Sequence, residues 1–137
     1  MTEPATESDL GSVFVSNYPP YSRWAPDQVP ALHEALGGAP GPSRIDLGLY
    51  LHIPFCRKRC KFCYFRVYTD KNGKEVERYL DRLAWEGELY AAQPLLAGRP
   101  LHFVYFGGGT PSFISPKQLL RLVVRLKNAF SWSDLEE

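Results

Sequence analysis

At Ile45 the chain changes its hydrophobic rhythm, and the new pattern restricts the kind of fold open to it. Leu47, Leu49, Leu51 and Ile53 alternate with Asp46, Gly48, Tyr50 and His52, a period of two that predicts a strand. Pro54 ends it. From Glu75 to Ala92, Val76, Tyr79, Leu80, Leu83 and Tyr90 recur among charged residues, the spacing of an amphipathic helix that Pro94 limits. Leu101-His102-Phe103-Val104-Tyr105-Phe106 lacks strict polar alternation and predicts a second strand, buried on both faces. Ser115, Pro116 and Gln118 suit the N-cap, N1 and N3 positions of a second helix. Leu119, Leu120, Leu122, Val123 and Leu126 supply its apolar stripe. Strand, helix, strand, helix predicts an α/β fold with parallel strands joined by right-handed crossovers, the first two βα units of a partial (β/α) barrel. A complete barrel needs roughly 200 or more residues. The segment Ser131 to Glu137 ends where a third strand would be expected, and the chain reads as cut short.

Residues 1–44 read as a Pro-rich arm and residues 45–137 as a truncated core domain. Seven of the 12 prolines fall in the first 42 residues, which disfavours regular structure there. Within the arm, Asn17-Tyr18-Pro19-Pro20-Tyr21-Ser22-Arg23-Trp24 is aromatic enough to pack on a domain surface, and Asp27 to Leu36 predicts a short helix stopped by Gly37-Gly38. A hydrophobic content of 45% suits a globular core. A net charge of +1, with no basic tract dominating, argues against a nucleic-acid partner. No stretch of apolar residues is long enough for a membrane span. Met1 to Asp9 carries three acids and neither Lys nor Arg, unlike a secretory signal, so a cytoplasmic location is expected.

All 3 cysteines lie in Cys56-Arg57-Lys58-Arg59-Cys60-Lys61-Phe62-Cys63. An odd number in so short a run does not suit a disulfide framework, whereas free thiols in a reducing compartment suit a metal. The spacing is C-x3-C-x2-C. A structural zinc would need a fourth ligand, with His52 and His102 as candidates, and an ordinary ferredoxin cluster would need a fourth cysteine. A loop with three thiolates suggests a cluster with one metal left open. It begins at the C-terminal end of a predicted strand, where α/β folds place binding loops. Gly107-Gly108-Gly109-Thr110-Pro111 stands at the end of the second strand, where glycine lets the backbone approach a ligand closely. Arg57, Lys58, Arg59 and Lys61 offset the negative charge of the thiolates or simply form a solvated loop face.

The cysteine spacing, with Phe62 before the last cysteine, resembles the radical S-adenosylmethionine (SAM) superfamily. The resemblance narrows to the oxygen-independent coproporphyrinogen III oxidase family through Tyr50-Leu51-His52-Ile53-Pro54-Phe55-Cys56 and Gly107-Gly108-Gly109-Thr110-Pro111-Ser112. It covers residues 45 to 126 well and the arm weakly. It implies a [4Fe-4S] cluster on Cys56, Cys60 and Cys63, with SAM chelating the fourth iron and cleaved reductively to a 5′-deoxyadenosyl radical. Tyr50, which it also marks as the catalytic candidate, and Gly108 would contact that SAM. Phe62, Gly109 and Thr110 would contact a second SAM in members that bind one. A tetrapyrrole substrate, a reductant such as flavodoxin or ferredoxin, and an oxidoreductase role in porphyrin biosynthesis are implied as well.

Tyr50 and His52 share a strand face and have a purely structural reading as barrel filling; His102 is read as structural. One departure bears on substrate. The oxidases usually carry a fourth cysteine two residues after the third, where this chain has Phe65, a pattern closer to the haem-chaperone and methyltransferase branches. The aromatic arm looks more like the oxidases. Oxidase, radical SAM methyltransferase, haem chaperone and inactive fragment all stand as readings, and residues 1 to 137 alone are expected to lack turnover.

Overall fold

In the computed structural model, residues 25–40, 45–63 and 65–136 are described. The chain divides into two compact units, Met1–Leu36 and Gly37–Glu137. In the first, a 3-10 turn at Pro26–Gln28 leads into α1, Val29–Leu36. The predicted short helix is therefore present, while the aromatic stretch at residues 17–24 lies outside the described residues.

The second unit runs β1 (Gly48–Ile53), α2 (Gly73–Ala91), β2 (Phe103–Gly108), a 3-10 turn (Pro111–Phe113) and α3 (Pro116–Ala129). The strands pair in parallel, with Gly48 opposite Phe103 and Ile53 opposite Gly108. The pairing agrees with the expected βαβα order. β1 begins at Gly48, and the residues before it are held otherwise: His102 N–H donates to Leu47 O at 2.9 Å and Arg99 to Ile45 O at 2.6 Å.

The period of two in β1 separates its faces. Leu51 and Ile53 are buried against the helices, whereas Tyr50 is half exposed. The second strand departs from expectation, because it is not covered on both sides. Val104 and Phe106 pack toward the core, but Phe103 and Tyr105 are 43% and 62% exposed. Among the described residues no element covers the face that β2 shares with Tyr50, so an apolar run that looked doubly buried is covered on one side. The strand also continues through Gly107 and Gly108, which the sequence pattern assigned to the turn beyond it.

Asn72 caps α2 by accepting from the backbone N–H groups of Lys74 and Glu75, while Glu75 accepts from Asn72 N–H. Ser115 and Gln118 make the same reciprocal box at α3, as their positions predict. On α2, Val76, Leu80, Ala84 and Gly87 are buried. Gly87 lets the helices approach, since a Cβ there would sit 2.7 Å from Leu126 Cδ2. The buried stripe of α3 is narrower than predicted. Leu122 and Leu126 are buried, but Leu119 and Leu120 are 39% and 65% exposed, because two strands and one neighbouring helix cover less than a full turn. At the flank, Arg125 grips Glu88 through bonds of 2.8 and 2.9 Å and holds its carboxyl below the usual range.

Beyond α3 the chain lies beside the start of β2. Leu101 N–H donates to Ser131 O at 2.9 Å, and Glu136 N–H to His102 O at 3.0 Å. Pro100 and Ser131 form a single isolated parallel bridge. No helix of the described residues is long and apolar enough to cross a membrane.

Candidate functional site

The C-terminal ends of β1 and β2 lie side by side, and the cysteine loop hangs from the first. Pro54 carries no N–H and stops the ladder. Phe55 then forms a parallel bridge with Tyr68. Tyr68 N–H donates to Pro54 O at 2.8 Å and Cys56 N–H to Tyr68 O at 3.0 Å, closing the loop at its root. The Phe55 ring anchors that root in the core, edge-on to Tyr79 at 5.2 Å and 5.8 Å from Phe113. Cys56 is consequently buried, while Cys60 is exposed and Cys63 intermediate; all three are free thiols. Cys63 N–H donates to Cys60 O at 3.2 Å, and the Arg59 guanidinium binds Cys63 O at 2.9 Å. One of the four basic side chains thus braces the loop.

The glycine stretch is stitched onto this root. Gly109 N–H donates to Ile53 O at 2.8 Å and Thr110 N–H to Phe55 O at 2.9 Å. Gly108 has φ +106°, a conformation that favours glycine. A Cβ on Gly109 would meet Cys56 Sγ at 2.7 Å and Phe55 O at 2.8 Å, so only a glycine lets the first sulfur lie here. Thr110 Oγ1 donates to Cys56 Sγ at 3.4 Å.

On the uncovered sheet face, Tyr50 and His52 meet as their alternation predicts, sharing a hydrogen bond of 2.9 Å between Oη and Nδ1. Tyr50 stacks on Tyr105 with centroids 5.8 Å apart, and Gly107 leaves room for its ring. Burial, followed by the neighbouring Tyr105, pushes the Tyr50 phenol up from its ordinary value. His102, read as structural, pairs with Asp46 at 3.4 Å, away from the cysteine loop in sequence.

Cys56, Gly109 and Thr110 therefore touch one another, and Gly108 lies under the His52 ring. Phe62 is 87% exposed. Among the described residues no three Cys, His, Asp or Glu side chains converge as a ready-made metal centre, so the three thiols are not gathered here. Their chemistry still fits a cluster: three free thiols sit within one loop rooted in a rigid strand end, beside glycines whose missing side chains leave the first sulfur room.

Two residues here gave no sequence signal of belonging to the site, Tyr105 and Tyr79, and the bond from the Thr110 hydroxyl to Cys56 was not anticipated either. Tyr79 was legible only as part of a helical stripe, yet its hydroxyl donates to His52 O at 2.7 Å. Burial first, then Glu86, Tyr50 and Tyr68, pushes its pKa up to about 12 from 10.0. The folded state thus keeps the proton after an unfolded chain loses it, so this contribution is complete below pH 10.0 and disappears as pH rises through about 12. Tyr79→Phe is expected to cost about 1 kcal/mol near neutral pH and to show a shallower alkaline loss of stability than the wild type. Urea denaturation across that range measures both.

No family model matches the chain. It is 38% identical over 87 residues to the oxygen-independent coproporphyrinogen III oxidase of Escherichia coli, covering 64% of this chain and 19% of that protein. The solved structure of coproporphyrinogen III oxidase (HemN) from Escherichia coli, a radical SAM enzyme, superposes with a TM-score of 0.70 at 32% identity, covering 93% of this chain and 29% of that one. The heme chaperone HemW of Mycobacterium tuberculosis is 39% identical over 110 residues, 79% of this chain and 26% of its own. Anaerobilin synthase of Escherichia coli O157:H7 is 44% identical over 80 residues, 58% of this chain and 18% of its own. The chain thus spans about a fifth to a quarter of the length of these relatives. In sequence and in backbone course, the chain is thus similar to one portion of the coproporphyrinogen III oxidase radical SAM enzyme and of the proteins related to it.

Proposed function

We propose that this chain carries the cluster-binding and part of the SAM-binding portion of a radical SAM protein acting on a tetrapyrrole. The supporting observation is the joining of its two motifs: the backbone bonds from Gly109 to Ile53 and from Thr110 to Phe55 bring the glycine stretch against the first cysteine at the C-terminal end of a parallel strand pair. In this reading Cys56, Cys60 and Cys63 hold a [4Fe-4S] cluster. Tyr50 and Gly108 bind the SAM at its open iron, and Phe62, Gly109 and Thr110 contact a second SAM where one is bound. When bound, such a cluster supplies the electron for reductive SAM cleavage, delivered by a flavodoxin- or ferredoxin-like donor. The chain's own part is to orient. The root at Phe55 fixes the first sulfur, Tyr50 offers a protonated phenol, and the glycines expose backbone N–H and C=O groups to the ligand.

The full reaction proposed is oxidase-like, converting coproporphyrinogen III propionates to vinyl groups by oxidative decarboxylation. Anaerobic reconstitution of the chain with iron and sulfide is expected to give about four irons per chain, and SAM is expected to alter the EPR spectrum of the reduced cluster. Failure to assemble any cluster would falsify the reading.

A second reading, haem chaperone, is favoured by one feature. Phe65 stands two residues after Cys63, where the oxidases usually have cysteine. Saturable haem binding by the reconstituted chain, with no affinity for coproporphyrinogen III, would select it.

A further inference from the structure

We propose that Thr110 is a positioning residue for the first cysteine, its hydroxyl donating to Cys56 Sγ and thereby raising the reduction potential of the cluster; this rests on the cluster reading above. Threonine at the start of a helical turn ordinarily turns its oxygen back onto the turn's own N–H groups. Thr110 occupies that place before the 3-10 turn Pro111–Phe113, yet makes no side-chain cap bond. Its hydroxyl is directed to Cys56 Sγ instead, at 3.4 Å.

The geometry is fixed from both sides. Pro111 disfavours a helical backbone at the residue before it, and Thr110 is extended at φ −135° and ψ 95°. Its N–H is held by Phe55 O at 2.9 Å, one residue before the cysteine whose sulfur it meets. Cys56 is 8% exposed, so little water competes for that sulfur. Gly109 adds no side chain that would push the sulfur off the hydroxyl.

Among the described residues, Cys60 and Cys63 have no such hydroxyl donor. The contact made by Cys63 runs the other way, from its thiol to Phe65 O at 3.8 Å, and ends when the thiol is deprotonated by a metal. Reducing a cluster adds negative charge that spreads onto its sulfurs, and a hydrogen bond to a ligating sulfur favours the reduced state. Thr110 would therefore distinguish the Cys56 corner from the other two.

Thr110→Val removes the hydroxyl at nearly constant volume, and Thr110→Ser keeps it. Both are loaded anaerobically in the 137-residue chain, without SAM, and followed by iron content, circular dichroism and EPR-monitored potentiometry. The expected result is a lower midpoint potential, or reduced iron retention, in Thr110→Val at unchanged helix content, with Thr110→Ser close to the wild type. A Thr110→Val cluster with wild-type iron and midpoint overturns the inference, as does a Thr110→Ser that falls alongside it. A wild-type chain that takes up no cluster overturns the cluster reading itself, and this is seen before any variant is compared.

Discussion

Cys60→Ala is expected to reduce iron uptake from about four atoms per chain to near zero and to abolish the visible absorbance of the reconstituted protein. Two thiolates cannot hold three irons of a cube, and the described residues offer no preassembled ligand group to replace the missing one. Cys60 is the informative position because it is exposed, and exposed substitutions usually change stability by less than about 0.5 kcal/mol. The buried Cys56 would lose packing along with its ligand role, confusing the two effects. An unchanged circular dichroism spectrum with lost iron separates ligation from folding. Retention of a full cluster in Cys60→Ala would remove it from the ligand set.

Gly109→Ala is expected to act on the same corner through sterics. The added carbon would lie 2.7 Å from Cys56 Sγ, 2.8 Å from Phe55 O and 3.2 Å from Ile53 O. Two of the three obstacles are backbone in or next to a strand end, so the strain is not relieved by a side-chain rotation. Overpacking of this sort costs roughly 1–3 kcal/mol, and the shift falls on the root of the cysteine loop, so iron uptake declines as well. Gly73→Ala is the matched control: nothing lies within 4 Å of a Cβ there, and stability should hold or rise slightly. Thermal denaturation and iron analysis of the pair provide the comparison, and Gly109→Ala with the melting and loading of the wild type would show that the close approach is not needed.

Much of the fold was legible because it is written locally. Alternation around Leu51 and Ile53 marked β1, and Ser115 with Gln118 marked the start of α3 before any tertiary contact was considered. The apolar character of β2 was legible too, but not how much of it is covered: Phe103 and Tyr105 look like core residues and stand on an open face. Periodicity reports which residues share a face, whereas burial depends on what lies opposite. Leu119 and Leu120 differ from expectation for the same reason.

At the site, motif residues were identifiable by type and spacing, and the contact between Cys56 and Thr110 was not, since their partnership spans 54 residues of sequence. Nor does spacing reveal that Cys60 is exposed while Cys56 is buried. That difference comes from the Phe55 anchor, which a local pattern does not contain.

The backbone bonds that tie Gly109 to Ile53 and Thr110 to Phe55 have a consequence for how the chain tolerates change in length. The distance between its two motifs is set across the sheet, so α2 and the turn after it can gain or lose residues while the motifs stay together. A single residue inserted into either strand would slide one motif past the other and turn its side chains to the opposite face. Indels are thus absorbed in the long connection and excluded from the two short strands.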